Sequence, residues 1–478
     1  MHARRNPETE SHAIVIGGSI AGLFAAGVLA SHFDRVTVLE RDRLVDSPEV
    51  RAGVPHARHV HGLLLRGRQL MDELFPGVEE VLAEAGALNV DFAADFAALG
   101  PAGWFVRFPS NLSALACTRA LLEWAVRRQL SAFPQVRLLD ETAVTGLLPA
   151  SDGQSVRGVT IRRGGREERL EANLVVDASG RHSRSPAWLE ALGFAAPEES
   201  IVDAHLGYAS RIYERPADYK ADWKVLLVLP TPPATTRLGL LMEVEGGRWM
   251  LSLMGGDHDY PPTDEAGLLD FVRSLRSPAI YNAIKDAAPL SSIHGFRGTE
   301  NRLRHFERLE RLPDGFVALG DAVGAFNPAY GQGMTIAAIG AMRLRECLAE
   351  QRRISRDGTL SGLSRRFQTQ LAKELADPWA MAIGEDYRYR TTEGVPPGPA
   401  TKFMRRYVDH VLALCSEDVA VRQVLMEVQN MIRPAPAMFA PGILFRVLRR
   451  AARLRMQNGS RIPAPHPDPT PVLGRPTV

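Results

Sequence analysis

A glycine-rich turn near the start of the chain has the residue types that bind a diphosphate. The apolar run of residues 13–16 leads into Gly17, Gly18 and Ser19, and Gly22 follows. The first two glycines allow the backbone to turn tightly beside a pyrophosphate, and Gly22 allows the next helix to lie close to the strand. The N-terminus of that helix offers free N–H groups and a partial positive charge to phosphate oxygens. Ser19 replaces the usual middle glycine, and its hydroxyl is itself able to bond a phosphate oxygen.

An acidic residue follows where this kind of fold binds the sugar of the nucleotide. Residues 35–39 form a second apolar run, and Glu40 and Arg41 end it. A carboxylate at the end of the second strand accepts hydrogen bonds from a ribose diol. The pattern therefore predicts that residues 13–41 hold the ADP half of a dinucleotide, with Glu40 on the ribose. The alternative is an ordinary buried βαβ unit whose glycine pair binds nothing.

A second glycine-rich pattern lies far downstream. The apolar residues 316–319 run into Gly320 and Asp321, and Pro328 precedes a turn that opens an alanine-rich helix. The pattern resembles the second FAD-binding motif of flavoprotein monooxygenases, which a NAD dehydrogenase does not need. By that resemblance Asp321 bonds the ribityl chain, and Pro328 shapes the reactive face of the flavin. The resemblance also places four residues of the turn and the helix start at the flavin N1–C2=O edge: Gly331, Gln332, Gly333 and Met334.

A third motif begins as an apolar run and ends in Asp177, Ala178, Ser179 and Gly180. Hydroxylases of the para-hydroxybenzoate hydroxylase type, which this chain resembles, have an Asp-Gly pair at the last two positions, associated with FAD and NADPH. Because Ser179 replaces that aspartate, we expect weak direct binding of NADPH. Electrons then come from transient contact with NAD(P)H, or from reduced flavin that a separate flavin reductase supplies. The Asp-Ala-Ser-Gly form itself occurs in flavin halogenases and in FAD epoxidases of polyether-antibiotic pathways.

Three other stretches are similar to those olefin epoxidases, the relatives of the lasalocid and monensin enzymes. They are residues 51–64, 64–75 and 117–124, within a likeness that runs from about residue 13 to residue 345. The resemblance implies an FAD-dependent monooxygenase of secondary metabolism, as in the biosynthesis of polyketide antibiotics. In such enzymes a flavin C4a-hydroperoxide formed from O2 epoxidises an olefin in an apolar, polyketide- or terpenoid-like substrate. Because the cofactor performs the oxidation, the protein positions the substrate, excludes water from the site and provides the electrostatic environment.

Other chemistries on the same fold stay open. An aromatic ring hydroxylase is the first alternative, and a reductase of isoprenoid double bonds and a flavin-binding protein without activity are two others. A flavin halogenase is disfavoured, because that chemistry uses a lysine in the N-terminal part and a Trp-x-Trp motif. This chain has no lysine before Lys220 and no two tryptophans separated by one residue.

The same resemblance and one long loop supply further candidate site residues. Arg119, at the start of a predicted helix, matches an arginine that contacts FAD in the superfamily. Arg58, His59 and His61 lie in a loop where related enzymes line the flavin, and a histidine there is able to donate a proton. The alternative is that these histidines only bond backbone carbonyls. Candidate walls of a substrate pocket, each of which core packing explains equally well, are Trp104, Phe105, Phe108, Tyr208 and Arg211.

The composition is that of an ordinary globular protein and excludes several classes. Of the 478 residues, 45% are hydrophobic and 23% are charged, and the net charge of +2 creates no field for nucleic acid. The three cysteines, Cys117, Cys347 and Cys415, are too sparse for a disulfide framework or a cysteine metal site. We therefore expect a cytoplasmic protein that binds no metal. No long uncharged apolar run predicts a transmembrane segment.

The order of predicted elements indicates an α/β fold. We expect a Rossmann-like FAD-binding domain with an inserted antiparallel β-sheet substrate domain and a helical C-terminal region. The predicted boundaries are 1–182 and 301–375 for the two parts of the FAD-binding domain, 183–300 for the substrate domain, 376–462 for the helical region and 463–478 for a disordered tail. Residues 445–455 are basic and amphipathic, which predicts an arginine face over a packed apolar stripe. Contact with a membrane surface is the alternative for that segment.

Overall fold

The computed structural model describes residues 10–355, residues 358–456 and Pro469. Its strands are β1 (His12–Ile16), β2 (Arg35–Leu39), β3 (Leu88–Asp91), β4 (Phe96–Gly100), β5 (Gly103–Trp104), β6 (Ser113–Ala116), β7 (Val136–Leu139), β8 (Thr142–Pro149), β9 (Val156–Arg163), β10 (Arg166–Glu171), β11 (Leu174–Asp177), β12 (Glu199–Val202), β13 (Gly207–Glu214), β14 (Val225–Val228), β15 (Arg237–Val244), β16 (Arg248–Gly255), β17 (His294–Phe296), β18 (Asn301–Arg304), β19 (Phe316–Ala318) and β20 (Gly324–Ala325). Its α-helices are α1 (Ile20–Leu29), α2 (Leu65–Leu74), α3 (Val78–Glu84), α4 (Arg119–Leu130), α5 (Ser185–Ala191), α6 (Glu265–Arg273), α7 (Ala279–Ile284), α8 (Gly333–Ile354), α9 (Leu363–Asp386), α10 (Pro399–Leu414), α11 (Val419–Gln429) and α12 (Pro441–Met456). The predicted tail at residues 463–478 lies outside the described residues, apart from Pro469.

A parallel sheet of five strands forms the core of the nucleotide-binding part. Its strand order is β19-β11-β1-β2-β7. Strands β1 and β11 are buried along their whole length, and nine residues of α1 are buried against this sheet and the helices beside it. Strands covered on both faces read as unbroken apolar runs, which is why the sequence pattern was clear here. The sheet confirms the predicted Rossmann-like part, and the carboxyl ends of β1, β11 and β19 meet at one edge.

A larger sheet of seven strands forms the second layer, in the order β17-β13-β16-β15-β14-β4-β5. Strands β13 and β16 pair antiparallel along eight residues, and β15 and β16 do the same. This sheet confirms the predicted antiparallel insertion. Its far side is completed by β4 and β5, which come from residues 96–104, and β4 runs parallel to β14. The sequence pattern did not identify these two short strands.

The helices α8 and α9 connect the two layers to the C-terminal region. α8 packs against α1 and α2, and α9 packs against α8 and β19. The last residue of α9, Asp386, is fully buried. The chain from Gly333 to Asp386 therefore forms two long helices with a short connection between them.

The C-terminal helices α10, α11 and α12 pack around a separate hydrophobic core. Val411 of α10 and Ile443 and Val447 of α12 are buried in it. The packed apolar stripe that was expected under the arginines is present, but Phe445 and Leu448 lie outside it, 65% and 59% exposed. None of the described helices combines the length and the apolar character needed to cross a membrane.

Candidate active site

The glycine turn after β1 has a backbone that accepts no other residue type. Gly17 has φ +103°, and a Cβ built there would lie 2.5 Å from the carbonyl oxygen of Ala178. A Cβ on Gly22 would lie only 1.8 Å from the carbonyl oxygen of Gly17. The turn is therefore pressed against β11 on one side and against the first turn of α1 on the other. This close approach leaves the N-terminus of α1 open toward the edge of the sheet where ligands bind.

Glu40 lies beside this turn, as predicted, and is buried. Its carboxylate accepts hydrogen bonds from the N–H of Gly18, at 2.9 Å, and from the N–H of Asp42, at 2.9 Å. It also forms an ion pair with Arg51, with 3.1 Å between Nη1 and Oε2. The neighbouring Arg41, predicted to join the cofactor site, is exposed.

Arg51 is the centre of a buried ion network that sequence analysis did not assign to the site. It donates from Nε and Nη2 to the carboxylate of Glu123, at 3.0 Å and 2.5 Å. Burial alone would raise the pKa of Glu123, but Arg119 and Arg51 hold it below its usual value. The spacing of Glu123, four residues after Arg119 on α4, was the one available signal for this network.

Ser19 and Arg119 join this network to the glycine turn. The Ser19 hydroxyl donates to Glu123 at 2.8 Å and accepts from Nη2 of Arg119 at 2.9 Å. The other terminal nitrogen of Arg119, Nη1, is buried and has no hydrogen-bond partner among the described residues. A buried guanidinium donor without a partner is costly, and a phosphate oxygen would satisfy it. This orphaned donor fits the cofactor contact predicted for Arg119.

The second motif lies directly against the first. Gly320 has φ +64°, and a Cβ there would lie 2.7 Å from the Cβ of Ala21 on α1. Burial raises the pKa of Asp321, while Arg181 and Arg119 act in the opposite direction. A Cβ on Gly333 would lie 3.8 Å from Oδ1 of Asp321, so the carboxylate faces the start of α8. The two glycine motifs, at residues 17–22 and 320–333, are far apart in sequence but lie side by side. Together with Arg119 and Glu40 they line one concave site, here called the cradle.

The turn before α8 also carries an unsatisfied group. Gln332 is buried, and its Oε1 has no hydrogen-bond partner among the described residues. Gly331 has φ +64°, Met334 is partly buried, and Pro328 and Ala329 are exposed at the surface of the turn. Together with Arg119, these open positions form a site that a dinucleotide with a flavin ring would fill. The residues present thus fit FAD.

A buried carboxylate on α9 holds the turn that contains Pro328. Asp386 accepts a hydrogen bond from Nδ2 of Asn327 at 3.1 Å and another from the hydroxyl of Tyr330 at 2.5 Å, so its partners flank Pro328 and Ala329. It accepts a third from Nδ2 of Asn301 at 2.5 Å. Burial raises the pKa of Asp386 to about 7. No sequence pattern connects Asp386 with this turn, because the two segments meet only in the folded chain.

The histidine loop lies near the same cradle, but its rings have partners. Nδ1 of His59 is 2.8 Å from the hydroxyl of Ser210, and Nδ1 of His61 is 2.9 Å from the carbonyl oxygen of His59. Burial lowers the pKa of His59 to about 4, and burial also lowers the pKa of His61. Arg58 is exposed, and its Nη1 lies 3.4 Å from Nε2 of His294. The part of the chain that the structure describes contains no cluster of three or more metal ligands.

The predicted substrate walls separate into two groups. Trp104, Phe105 and Phe108 each belong to a different hydrophobic core, so the structure supports the packing role that the sequence left open for them. Tyr208 donates a hydrogen bond to Oδ1 of Asn327 at 3.0 Å, which links β13 to the turn before α8. Arg211 donates to the carbonyl oxygen of Ser291 at 3.0 Å. Of the five, only Tyr208 contacts the cradle.

The third motif has an internal role. Asp177 is fully buried, and its carboxylate accepts hydrogen bonds from the N–H and the hydroxyl of Ser179, at 2.9 Å and 2.6 Å, and from the hydroxyl of Ser183. Ser179 itself is exposed. The serines that follow the strand therefore satisfy the buried carboxylate of Asp177.

Comparison with known proteins agrees with this geometry. The model of the family described as FAD binding domain matches residues 10–361. Protein Rv3254 of Mycobacterium tuberculosis is 36% identical over 411 residues, which cover 82% of this chain and 83% of that protein. Among solved structures, p-nitrophenol 4-monooxygenase PnpA from Pseudomonas putida is 16% identical, with a TM-score of 0.62 over 88% of this chain and 98% of its own. The flavin-dependent brominase Bmp2 is 16% identical, with a TM-score of 0.59 over 88% of this chain and 100% of its own. At these identities the two structures show the fold alone.

Proposed function

The chain belongs to the FAD binding domain family, whose members are of the FAD-dependent monooxygenase type, and we propose that it epoxidises an olefin in an apolar substrate. The substrate class that we propose is polyketide- or terpenoid-like, and the setting is secondary metabolism, such as antibiotic biosynthesis. One observation carries the proposal: two glycine motifs line one cradle with unsatisfied polar atoms, and Tyr208 of the large sheet borders it. The three free, buried cysteines support the cytoplasm as its location.

We assign different residues of the cradle to different parts of the FAD molecule. We assign the pyrophosphate to the turn at Gly17 and to Nη1 of Arg119, and the adenosine ribose to Glu40. We assign the ribityl chain to Asp321 and the flavin ring to the turn around Gln332. When bound and reduced, FAD supplies the activation of O2 and the transfer of one oxygen atom.

Two of the side chains that we place near the flavin ring carry no charge near neutral pH. Burial raises the pKa of Tyr208 and lowers the pKa of His59, so both side chains are uncharged near neutral pH and present polar atoms without a net charge. In the proposed reaction, one oxygen atom of O2 adds to the C=C bond, and the other leaves as water with two protons. Two electrons come from NAD(P)H or from reduced flavin. Exclusion of bulk water from the site prevents loss of the activated oxygen before it reacts with the olefin.

The cofactor assignment is tested before the reaction. We expect the purified protein to be yellow and to release FAD into the supernatant after acid precipitation, because the glycine motifs and Arg119 hold a dinucleotide through hydrogen bonds and charge. Flavin that stays with the pellet would contradict non-covalent binding. A protein that binds no flavin after reconstitution would remove the proposed function.

The reaction is tested by aerobic incubation with a flavin reductase, NADPH and candidate olefins, followed by mass spectrometry. We expect a gain of one oxygen atom and hydrolysis of the product to a diol in acid. An acid-stable product oxygenated on an aromatic ring would indicate the hydroxylase alternative. Reduction of the double bond without O2 would indicate the reductase alternative. The Asp321→Ala variant serves as the control for oxidation by free reduced flavin.

A further inference from the structure

An aromatic cleft opens at the β17 edge of the large sheet. Its lining includes Tyr208, Tyr260, Pro261, Thr263 and Phe296; the cleft has a volume of about 280 Å³ and is open to solvent. Aromatic rings and a proline side chain supply most of the wall. Such a wall favours an apolar ligand with a flat or extended body.

The cleft continues toward the cradle. Tyr208 lines it and donates its hydroxyl hydrogen bond to Asn327, in the turn before α8. The ring of Phe296 lies 5.7 Å from the ring of His59 and 6.3 Å from the ring of His56. The cleft and the proposed flavin site therefore share a wall, and a ligand in the cleft extends toward the reacting centre.

One charged side chain lines the cleft, and it has no counter-ion. The guanidinium of Arg297 lies 4.5 Å from the ring centre of Tyr260, and within residues 10–355 and 358–456 no carboxylate pairs with it. Among the other arginines that lie over rings, Arg128 and Arg311 also have no carboxylate partner in the described part of the chain, so what distinguishes Arg297 is its place in the cleft wall. Two others are paired. Arg237 lies over Phe271 and pairs with Asp259, and Arg273 lies over Tyr281 and pairs with Asp270.

A second exposed arginine near the same edge is also without an acidic partner in the described part of the chain. Nη1 of Arg58 contacts only the ring of His294, which is on β17 with Phe296. Burial and the charge of Arg58 lower the pKa of His294, so this ring is neutral near neutral pH and does not balance the charge of Arg58. Among the residues that the structure describes, the β17 edge thus has two cations and no carboxylate paired with them.

We infer that the substrate carries an anionic terminus, a carboxylate, that Arg297 binds while the apolar chain lies along Tyr260, Phe296 and Tyr208. This inference rests on the proposed function and names its substrate class: an unsaturated carboxylic acid rather than a neutral hydrocarbon. A guanidinium that lies over a tyrosine ring and has no carboxylate partner in the described residues is able to donate two parallel hydrogen bonds to a bound carboxylate. The olefin carbons then lie at the inner end of the cleft.

The test uses cis-parinaric acid, a fluorescent conjugated tetraene carboxylate, and its methyl ester. Both are titrated into the oxidised holoenzyme without an electron donor, so that binding is measured apart from turnover. We expect the acid to bind about tenfold more tightly than the ester, the size of one hydrogen bond to a charged group at a partly exposed site. In Arg297→Gln the acid should lose that advantage, while the ester binds as before. Arg273→Gln, which removes another arginine stacked on a tyrosine, should change neither.

Three results would overturn the inference. They are equal binding of acid and ester by the wild-type protein, an unchanged preference for the acid in Arg297→Gln, and no binding of either lipid. Displacement of parinarate by NADP⁺ that depends on Arg297 would assign the arginine to the nucleotide phosphate and would also overturn it. Failure of the proposed function has a different signature. In that case parinarate binds with the expected preference, but no oxygenated product forms with a flavin reductase present.

Discussion

At the scale of single residues, the site depends on charges whose partners come from distant parts of the chain. Arg51 lies between the carboxylates of Glu40 and Glu123, and Arg119 reaches Ser19 in the glycine turn. A buried ion network of this kind is stable only when every member has a partner. Nη1 of Arg119 is the part of this network without a partner among the described residues, so it is the donor that a cofactor phosphate would satisfy.

Replacement of Asp321 tests the flavin end of the cradle. We expect Asp321→Ala to weaken FAD binding by about 10- to 150-fold, because the ligand loses hydrogen bonds to a carboxylate that are worth roughly 1.5–3 kcal/mol. The dissociation constant is measured by titration of the apoprotein with FAD, and circular dichroism checks the fold. Asp270→Ala, at a mostly exposed position on α6, is the control and should bind FAD as the wild type does. Equal affinity in both variants would exclude the assignment of Asp321.

Asp386 makes the stability of the protein depend on pH. Burial raises its pKa to about 7, whereas an aspartate in an unfolded chain titrates near 4, and the carboxylates of Asp203 and Glu385 also raise it. Between these values the folded state binds the extra proton. The stabilisation that this group contributes is therefore fully present below about pH 4 and is lost as the pH rises to 7.

Asp386→Asn removes this titration. We expect the free energy of unfolding of the wild type minus that of this variant to be about 3 kcal/mol larger at pH 5 than at pH 8, because the protonated aspartate stabilises the folded state at the lower pH. The variant also places an amide N–H against Nδ2 of Asn301, a constant cost that does not change with pH. Denaturant unfolding at the two pH values measures the difference. The same difference at both would show that Asp386 does not titrate in this range.

At the scale of elements, the contact between β1 and α1 decides whether the cradle forms. A Cβ on Gly22 would meet the carbonyl oxygen of Gly17 at 1.8 Å, so the helix cannot keep its place against the strand. We expect Gly22→Ala to destabilise the protein by about 3 kcal/mol and to abolish FAD retention. Gly62→Ala is the matched control, because no atom lies within 4 Å of a Cβ there. Thermal unfolding and the flavin content of the purified protein measure both effects, and a normal flavin content in Gly22→Ala would contradict this account of the turn.

At the scale of the whole molecule, the question is how electrons reach the flavin. The described residues contain one parallel nucleotide sheet, and Ser179 stands where related hydroxylases have an aspartate. We expect NADPH alone to reduce the bound flavin slowly and with weak saturation, and an added flavin reductase to restore turnover. Anaerobic stopped-flow measurement of flavin bleaching tests this. Rapid bleaching with a micromolar constant for NADPH would show that the chain performs its own reduction.

The sequence by itself determined the nucleotide-binding part of this protein. Residues 13–41 and the run before Asp321 were predictable because strands buried on both faces are continuous apolar runs, and because tight turns beside a phosphate require glycine. Glu40 and Ser19 could be named for the same reason, since each has a set place relative to the first turn, whereas Arg119 was named from a resemblance to an arginine that contacts FAD in related proteins.

Only the tertiary structure decided what surrounds that motif. Asp386 reaches Asn327 across 59 positions, Arg51 reaches Glu123 across 72, and β4 joins a sheet whose neighbouring strand lies more than a hundred residues later. Such contacts leave no local pattern, because a buried polar side chain is satisfied by whichever partner the packing brings near it. The roles of the aromatic residues could not be separated from the sequence either. Trp104, Phe105 and Phe108 were indistinguishable from Tyr208 by type, and only the packing of the sheets places the first three in hydrophobic cores and the last beside the cradle.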